Sequence, residues 1–321
     1  MISSIKNLLI LPHIKAHNAN ALSSPYTIGF PAMTAWLGMA HALQRRLNAK
    51  GINISFEAVG VVSHQFDLQT YRGENDFVSS IIGTGNPLEK TGKRSAFIEE
   101  ARCHLDASLL IEYTGIDKEE EAHSKELLIH SLNTNIKIAG GDIQNFHKPE
   151  FLRIEEGSIE DIAKLTRKLM PGYALIERRD LMVGAMQQST AAKKIDAIDA
   201  ILDYLAVHHH SEKDDEGSVT WHSHRRHLAG EPAGWIVPIA TGFQGLSELG
   251  EAKNQRDPAT PHRFAESIVT LGEFRMPYRF DLIEDLLWRY HFDEINNLYL
   301  CQQESQDTDE TYDTLITNEL Y

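Results

Sequence analysis

Histidine is the side chain with the greatest chemical potential in this chain, which holds 16 of them among 321 residues. Many concentrate in two short runs, residues 208–210 and 222–227. Imidazole is the commonest neutral metal ligand and the usual general acid or base near neutral pH. Neighbouring histidines on a flexible, acidic loop rarely converge in tetrahedral geometry, and Arg225 and Arg226 would repel a cation. We therefore expect neither a metal nor a cofactor, and interpret the segment as a solvated loop or a small basic contact patch.

The glycine-rich stretch after residue 71 fails both tests for a nucleotide-binding loop. A P-loop would need glycine in place of Pro87 and serine or threonine in place of Arg94. A dinucleotide-binding fingerprint would need glycine in place of Leu88. The sequence contains no H-E-x-x-H and no G-x-S-x-G, and no nucleophile stands at a recognisable spacing from a base. The sequence therefore predicts a protein that is not an enzyme.

The overall composition is that of an ordinary globular protein, with 42% apolar, 24% charged and 8% aromatic residues. The mean hydropathy is −0.33. No apolar run approaches the roughly 18 residues of a membrane helix, and the N-terminal run is too short for a signal peptide. The two cysteines, Cys103 and Cys301, exclude a disulfide framework and a cysteine zinc site. We expect a cytoplasmic protein.

Charge is distributed unevenly along the chain. The formal net charge is −15, which taken alone argues against nucleic-acid binding. Residues 1–56 nevertheless hold five basic residues and no acid, so they carry +5 and leave −20 on the remainder. A positive first segment and a negative remainder favour a surface with one basic and one acidic side. A stretch that lacks acids because it forms the core would explain the first segment equally well.

The first part of the chain has the pattern of a strand, a long polar loop and a helix. Residues 7–14 form an apolar run that predicts a strand. Thr34 is the predicted N-cap of the helix, Gly51 ends it, and Trp36 lies on its apolar stripe and is predicted to be core. The loop between them is unusually long, and long ordered loops tend to be functional. It is the first place to look for a binding site.

The remaining pattern mixes strands and helices. Strands are predicted at residues 52–70, 104–113, 173–177, 235–239 and 298–301. Helices are predicted at residues 118–132, 158–169, 191–207 and 280–291. A hairpin or loop is predicted at 71–94, a bulged strand at 135–146 and a polar loop at 208–216. This order favours an α+β fold of ferredoxin-like or RNA-recognition-motif type with helices on one side of the sheet, and doubly wound α/β is the competitor.

Residues 17–47 contain a long, gapless motif. It reads N-A-N-A-x-S-S-P, then G-F-P, T-A-x-x-G and H-A-L-Q-R-R. Shorter stretches, such as residues 169–175, 234–239 and 260–266, extend the similarity to about residue 290. With these motifs the chain resembles the Csy-two subunits of type I-F CRISPR surveillance complexes, in the Cas-five branch of the RAMP superfamily.

The resemblance implies a non-catalytic, RNA-binding subunit. The implied fold is a RAMP core, a variant of the RNA-recognition motif, with an inserted helical or thumb-like region. The implied division places the first part of the core at residues 1–180, the insertion at 181–230 and the completion of the core at 231–303. An acidic, mobile tail follows at 304–321.

The resemblance also implies partners. These are the 5′ handle of the CRISPR RNA, the large subunit of the complex and the adjacent backbone subunit. Target DNA is reached only through the assembled complex, no membrane is involved, and the role is defence against foreign DNA. Some relatives in other CRISPR subtypes cleave RNA. The alternative is therefore a metal-independent endonuclease that processes precursor CRISPR RNA through a histidine such as His41 or His17.

The predicted RNA-binding residues of the long loop carry groups that can read or stack on bases. Amides and hydroxyls suited to base edges belong to Asn18, Asn20, Ser23, Ser24 and Thr27. Tyr26 is predicted either to stack on a base or to anchor the loop in the core. Either asparagine could instead hold the backbone of the loop through an Asx turn.

Other predicted RNA-binding residues lie further along the chain. Arg45 and Arg46 suit phosphate contacts within the acid-free segment. Arg256 and Arg263 are weaker candidates, and the second of them could simply pair with Glu266. The pair of glycines Gly140 and Gly141 would let backbone approach RNA closely, or would form a plain bulge.

Overall fold

The computed structural model describes most of the chain. The described residues are 5–82, 87–95, 100–188, 194–213, 217–226, 234–255 and 257–303. The predicted tail, residues 304–321, and the candidate Arg256 lie outside the described residues. None of the helices formed by the described residues is both long enough and apolar enough to cross a membrane.

Helices and strands alternate irregularly along the chain. The helices are α1 (Met33–Asn48), α2 (Glu121–Thr134), α3 (Ile159–Leu169), α4 (Arg179–Gln187) and α5 (Ala197–Leu205). The strands of the first half are β1 (Ile5–Asn20), β2 (Leu22–Ser24), β3 (Thr27–Ile28), β4 (Ser55–Leu68), β5 (Thr70–Tyr71), β6 (Ser80–Ile81), β7 (Arg102–Thr114), β8 (Lys137–Ile138), β9 (Gly141–Asn145) and β10 (Glu150–Glu155). Those of the second half are β11 (Tyr173–Glu177), β12 (His208–Lys213), β13 (Val219–His224), β14 (Trp235–Gly245), β15 (Ala265–Arg275), β16 (Arg289–Asp293) and β17 (Leu298–Gln302).

Eleven of the strands join in one large sheet. Its order is β16-β17-β14-β15-β11-β4-β7-β1-β9-β8, and β10 pairs with the first half of β1. Every pairing between the described strands of this sheet is antiparallel. An antiparallel sheet with packed helices is an α+β architecture, which excludes the doubly wound competitor.

The middle of the sheet comes from the first half of the chain. The chain passes through β1, α1, β4, β7, α2 and β9, and the four strands lie in the order β4-β7-β1-β9. Each helix therefore carries the chain over one intervening strand. Both helices contribute side chains to one core cluster, so α1 and α2 cover the same face.

The sheet is buried on both faces, which explains why β1 is an apolar run rather than an alternating pattern. Leu9 and Leu11 belong to the core beneath α1 and α2. Leu8 and Ile10 belong to a second core beneath α3 and residues 280–287. All four leucine and isoleucine side chains are at most 1% exposed. The prediction that the helices lie on one side of the sheet is therefore wrong, because α3 covers the opposite face.

The predicted helix at residues 280–291 is also wrong. The segment contains one 3-10 turn, Glu284–Leu286, and then enters β16. Trp288 is fully buried, its indole N–H donates to the carbonyl of Leu175 at 2.9 Å, and its backbone pairs with Val59. These tertiary bonds hold the chain extended although its apolar residues recur at helical spacing.

Local signals predicted α3 correctly. The Ser158 side chain accepts a hydrogen bond from the backbone N–H of Asp161 at 3.3 Å, as an N-cap does. The prediction for α1 was right about its buried side, since Trp36 is fully buried. It was wrong about its start, because the helix begins at Met33 and Thr34 lies inside it.

Between β11 and β14 the chain leaves the large sheet. Helices α4 and α5 pack together around Leu271 of β15. Strands β12 and β13 form a separate two-stranded sheet. The predicted loop at 208–216 is therefore a strand as far as residue 213, and residues 214–216 lie outside the described part of the chain.

Candidate nucleic-acid interface

The far end of β1 is irregular, and this irregularity presents Asn18 to solvent. A bulge interrupts the pairing of β1 with β7 between Ala16 and Ala19. Asn18 takes φ +54 there, a left-handed conformation that asparagine adopts more readily than most residues. Its backbone N–H donates to Nδ1 of His104 at 3.2 Å. Its side-chain amide is exposed and has no hydrogen-bond partner among the described residues.

Two stacked imidazoles lie beside Asn18. The rings of His17 and His104 have centroids 4.1 Å apart and planes 19° apart. Because Nδ1 of His104 accepts from Asn18, the neutral ring carries its proton on Nε2. That nitrogen lies against Nε2 of Gln69, so the amide must be turned over for its carbonyl oxygen to accept the proton. A flat aromatic surface next to a free amide suits an unpaired base.

Gly141 allows β9 to pack closely against β1. A Cβ at this position would lie 2.7 Å from Cα of Ala19, which is too close for any side chain. The backbone of Asn20 donates to the carbonyl of Ala139 at 2.8 Å in the same contact. Gly140 takes φ +76 and has open space around it. Gly141 therefore allows two strands of the chain to pack backbone against backbone, and Gly140 forms the exposed turn before β9.

Replacing Gly141 by alanine is expected to lower the free energy of unfolding by about 1–3 kcal/mol, because the added methyl group forces β9 away from β1. Gly29→Ala is the matched control, since a Cβ there meets nothing within 4 Å. Urea unfolding followed by circular dichroism measures both variants. Equal stability of the two variants would show that β1 and β9 separate without cost.

The side chain of Asn20 is occupied by the backbone of its own loop. Its Oδ1 accepts from the N–H of Leu22 at 3.1 Å, and its Nδ2 donates to the carbonyl of Leu22 at 2.9 Å. Both ends of the amide are therefore used to close a turn, as in an Asx-type contact. This geometry supports a structural role for Asn20 rather than base reading.

Three hydroxyl groups hold the β2–β3 hairpin together. Oγ1 of Thr27 lies 2.9 Å from Oγ of Ser23 and 2.7 Å from Oγ of Ser24. Ser24 is buried and also accepts from the backbone N–H of Tyr26 at 3.1 Å. These hydroxyls are engaged inside the hairpin, and together they fix the position of Tyr26 at its tip.

Tyr26 and Arg45 differ from the residues just described, because both are available to a ligand. Tyr26 is 75% exposed, and neither its ring nor its hydroxyl has a partner in the described part of the chain. Arg45 is exposed on α1 and forms no ion pair with any described residue. Arg46 donates to the carbonyl of Asn135 at 3.3 Å and so braces the end of α2. Asn18, Tyr26 and Arg45 are thus the predicted groups that remain free.

Arg263 anchors a loop in the second half of the chain. Its Nη1 donates to Oδ1 of Asn297 at 2.5 Å, so its partner is Asn297 rather than Glu266. Its stem packs against Gly245, where a Cβ would lie 2.6 Å from Cδ of the arginine. This contact ties the β14–β15 loop to the turn before β17. Nothing in the structure describes Arg256, the other arginine predicted in this region.

A second polar cluster, which sequence reasoning missed, spans β1, β4 and β7. Nδ1 of His13 lies 3.1 Å from Oδ1 of Asp106. The His13 ring stacks on the His64 ring, with centroids 4.0 Å apart. The centroid of the His147 ring lies 4.7 Å from that of His13. These residues are far apart in the sequence. Only strand register brings them together, so no local pattern could have revealed the cluster.

His64 is held in its neutral form by its surroundings. Its Nδ1 lies 2.5 Å from the carbonyl of Pro171, which requires an N–H, and its Nε2 lies 2.6 Å from Oγ of Ser108. Burial lowers the pKa of His64 below its usual 6.5, against the opposing effect of the carbonyl. Both nitrogens are occupied, and the His13 and His64 planes are only 24° apart. One ligand atom of each of His13, His64 and Asp106 lies within 4.8 Å of the other two, but a metal would have to displace a hydrogen bond of His64. The chemistry that needs no such change is proton transfer at His13, oriented by Asp106.

An exposed aromatic row crosses β14, β17 and β16. Phe243 lies opposite Tyr299, and Tyr299 lies opposite Phe292, so all three share one face. Tyr290 extends the row, with its ring 5.3 Å from that of Tyr299. Phe292 is 62% exposed and the others about 40%. The sequence did not reveal this row, because its residues come from three strands that only the register of the sheet aligns.

Negative charge borders this aromatic row. Asp293 and Glu294 directly follow Phe292, and Ile295 beyond them is 90% exposed. Hydrogen bonds from Asn296 hold the pKa of Asp293 below its usual 3.8, so this carboxylate is ionised at neutral pH. Exposed aromatic patches mark interaction sites, and carboxylates at the border repel phosphate. The row therefore fits a protein partner better than a nucleic acid.

Comparison with known proteins gives matches over nearly the whole chain. Residues 9–301 match the family model described as CRISPR-associated protein (Cas_Csy2). The chain is also similar to the CRISPR-associated protein Csy2 of Pseudomonas aeruginosa (strain UCBPP-PA14). The identity is 33% over 314 residues, which cover 91% of this chain and 94% of that protein.

Proposed function

The chain belongs to the Csy2 family of CRISPR-associated proteins, and we propose that it is the subunit of a type I-F surveillance complex that binds the 5′ handle of the CRISPR RNA. In this proposal the protein is not an enzyme. It pairs with the large subunit, lies next to a backbone subunit and meets target DNA only through the assembled complex. Its place of action is the cytoplasm.

The fold supports this proposal through the order of its central elements. The path β1, α1, β4, β7, α2, β9 with sheet order β4-β7-β1-β9 is the pattern expected for an RNA-recognition-type core. We assign residues 1–180 and 231–303 to this RAMP core and residues 181–230 to its insertion. Helices α4 and α5 and the β12–β13 hairpin make up the described part of that insertion.

The observation that carries the proposal is the surface at the end of β1. It presents the free amide of Asn18 beside the stacked ring of His17, and the exposed ring of Tyr26 on a hairpin braced by its own hydroxyls. Single-stranded RNA is recognised by stacking and by hydrogen bonds to base edges. Arg45 and the turn at Gly140 provide further candidates for the phosphate backbone.

The aromatic row supports the pairing with the large subunit. Subunit interfaces are enriched in aromatic residues, and Phe292 and Tyr299 present such groups on adjacent strands. The chain carries a net charge of −15, so tight binding of RNA needs positive charge from a neighbouring subunit. RNA binding and assembly are coupled in this proposal.

Labelled RNA tests the proposed function directly. The isolated, tag-free chain is expected to bind handle RNA weakly at physiological salt, and to retain it tightly once the large subunit is present. Gel-shift titrations with and without the large subunit measure this difference. Tight handle binding by the isolated chain, or no gain from the large subunit, would contradict the proposal.

A second candidate function is metal-independent cleavage of precursor CRISPR RNA. The observation that favours it is the His13–Asp106 pair, in which a carboxylate orients an imidazole. The histidines first considered fit this role less well, because neither His41 nor His17 pairs with a carboxylate in the described part of the chain, whereas His13 does. Incubation with labelled precursor RNA separates the two functions. Cleavage that disappears in His13→Ala would establish the second candidate, and intact RNA favours the first.

A further inference from the structure

Strand register places four histidines on one face of the β12–β13 hairpin. His208 lies opposite His224. His210 lies opposite His222. Side chains alternate along a strand, and directly opposite residues share a face. All four histidines therefore project to the same side, with His210 and His222 as the outer pair and His208 and His224 as the inner pair. Glu212 follows His210 on the same face. The expectation of no metal rested on a flexible loop, and this regular hairpin removes that reason.

The Glu212 carboxylate brings the outer pair of histidines close to metal-ligand spacing. Its Oε1 lies 3.8 Å from Nε2 of His210, and its Oε2 lies 3.7 Å from Nε2 of His222. In a tetrahedral zinc site with bonds of about 2.0–2.2 Å, neighbouring ligand atoms lie about 3.4 Å apart. Each histidine is therefore close to the required distance from the carboxylate. These side chains are exposed, and their rotation is needed to bring the two imidazole nitrogens equally close to each other.

His208, which belongs to the inner pair of histidines (His208 and His224), is tied to the body of the protein. Nε2 of His208 lies 3.4 Å from Oδ1 of Asp203, while Arg226 bonds the other oxygen of that carboxylate. The guanidinium of Arg226 also lies over the ring of Tyr204, 4.9 Å from its centroid. Its positive charge, which argued against a cation in this region, is thus already paired with Asp203.

We propose that His210, Glu212 and His222 bind a zinc ion and leave its fourth position open to water. Two imidazoles and one carboxylate form an established ligand set for open zinc sites. Nitrogen ligands favour first-row transition metals over magnesium and calcium. The bound ion cross-links the two strands of the hairpin. The His13 and His64 cluster differs from this site, because both ring nitrogens of His64 are already hydrogen-bonded, to Pro171 and to Ser108.

Zinc titration of the full-length, tag-free protein against a chelating indicator tests this site. One equivalent of zinc is expected to bind, and His222→Ala and Glu212→Gln are each expected to weaken binding at least tenfold. His209→Ala is the matched control, because His209 projects from the other face, where its Nδ1 bonds Oγ of Ser223 at 2.8 Å. This control is expected to bind zinc like the unsubstituted protein.

Cobalt provides a second measurement, because nonspecific binding of the metal to exposed histidines would not give the same spectrum. Cobalt bound at this site is expected to show the visible absorption of a tetrahedral complex, which His222→Ala abolishes. All residues of strands β12 and β13 are exposed, so metal-free thermal unfolding should be unchanged in each variant. Unchanged zinc affinity in His222→Ala, or an equal loss in His209→Ala, would overturn the proposal.

Discussion

Replacing Phe292 by glutamate is expected to weaken association of this chain with the large subunit that we propose as its partner about 30-fold or more. Phe292 is the most exposed ring of the aromatic row on β14, β17 and β16. Loss of an anchoring aromatic side chain typically costs about 2–4 kcal/mol of binding free energy. The new carboxylate adds a desolvation cost where a partner covers the row, and the exclusion of water there strengthens its repulsion from Asp293 and Glu294.

The matched control for Phe292 is Phe77→Glu. Phe77 is 94% exposed between β5 and β6, so the substitution has the same chemistry at a different surface. Co-elution and titration calorimetry with the large subunit measure both variants, and thermal unfolding checks that each is folded. Phe292→Ala separates lost contact from added charge. Normal assembly of Phe292→Glu, or an equal defect in Phe77→Glu, would exclude the row as the interface.

The elements that sequence predicted well are those in which local signals and tertiary packing agree. Ser158 caps α3 through a bond within its own turn, so three neighbouring residues suffice to predict it. Strand β11 has the bounds predicted for it, because the turn at residues 171–172 isolates a short apolar run. Strands β4 and β7 follow the same logic, whereas β1 was predicted to end at residue 14 and continues to Asn20, so the predicted long loop holds the end of β1 and the β2–β3 hairpin.

The wrong predictions have tertiary causes. The segment at 280–291 has helical spacing, but burial of Trp288 and its bonds to Leu175 and Val59 favour an extended backbone. The histidine hairpin was missed for another reason. Its alternation has the period of a strand, yet it contains polar residues on both faces, and hydrophobic periodicity is the signal on which strand prediction depends. Its register could be seen only in the structure.

The candidate RNA interface was also predicted only in part. Residue types suggested that eight side chains between residues 18 and 46 could contact RNA, but types do not show which groups are already occupied. Asn20 closes a turn, and Arg46 braces α2, through backbone contacts that no spacing rule predicts. The availability of Asn18 depends on a β-bulge and that of Tyr26 on the hydroxyl network beneath it. The sequence therefore indicates which segment could bind RNA, but not which of its side chains are free to do so.

The double substitution Asn18→Gly and Tyr26→Ala is expected to weaken retention of handle RNA by the assembled complex roughly 30-fold or more. A stacked base contributes about 1–3 kcal/mol and a lost base-edge contact a similar amount. Glycine at position 18 keeps the left-handed backbone at φ +54 while removing the amide, so the bulge is preserved. Alanine at position 26 removes an exposed ring that has no described partner. Stability should therefore change little.

Two single variants make the result specific to these groups. Tyr26→Phe keeps the ring and should retain nearly full affinity, because stacking needs only the aromatic face. Ser24→Ala removes a buried hydroxyl bonded to Thr27 and to the backbone of Tyr26, so it should lower the free energy of unfolding along with RNA binding. Filter binding with labelled handle RNA and urea unfolding distinguish these effects. If the double variant keeps normal affinity, the RNA does not contact the end of β1, and Arg45 and the remaining surface become the place to search.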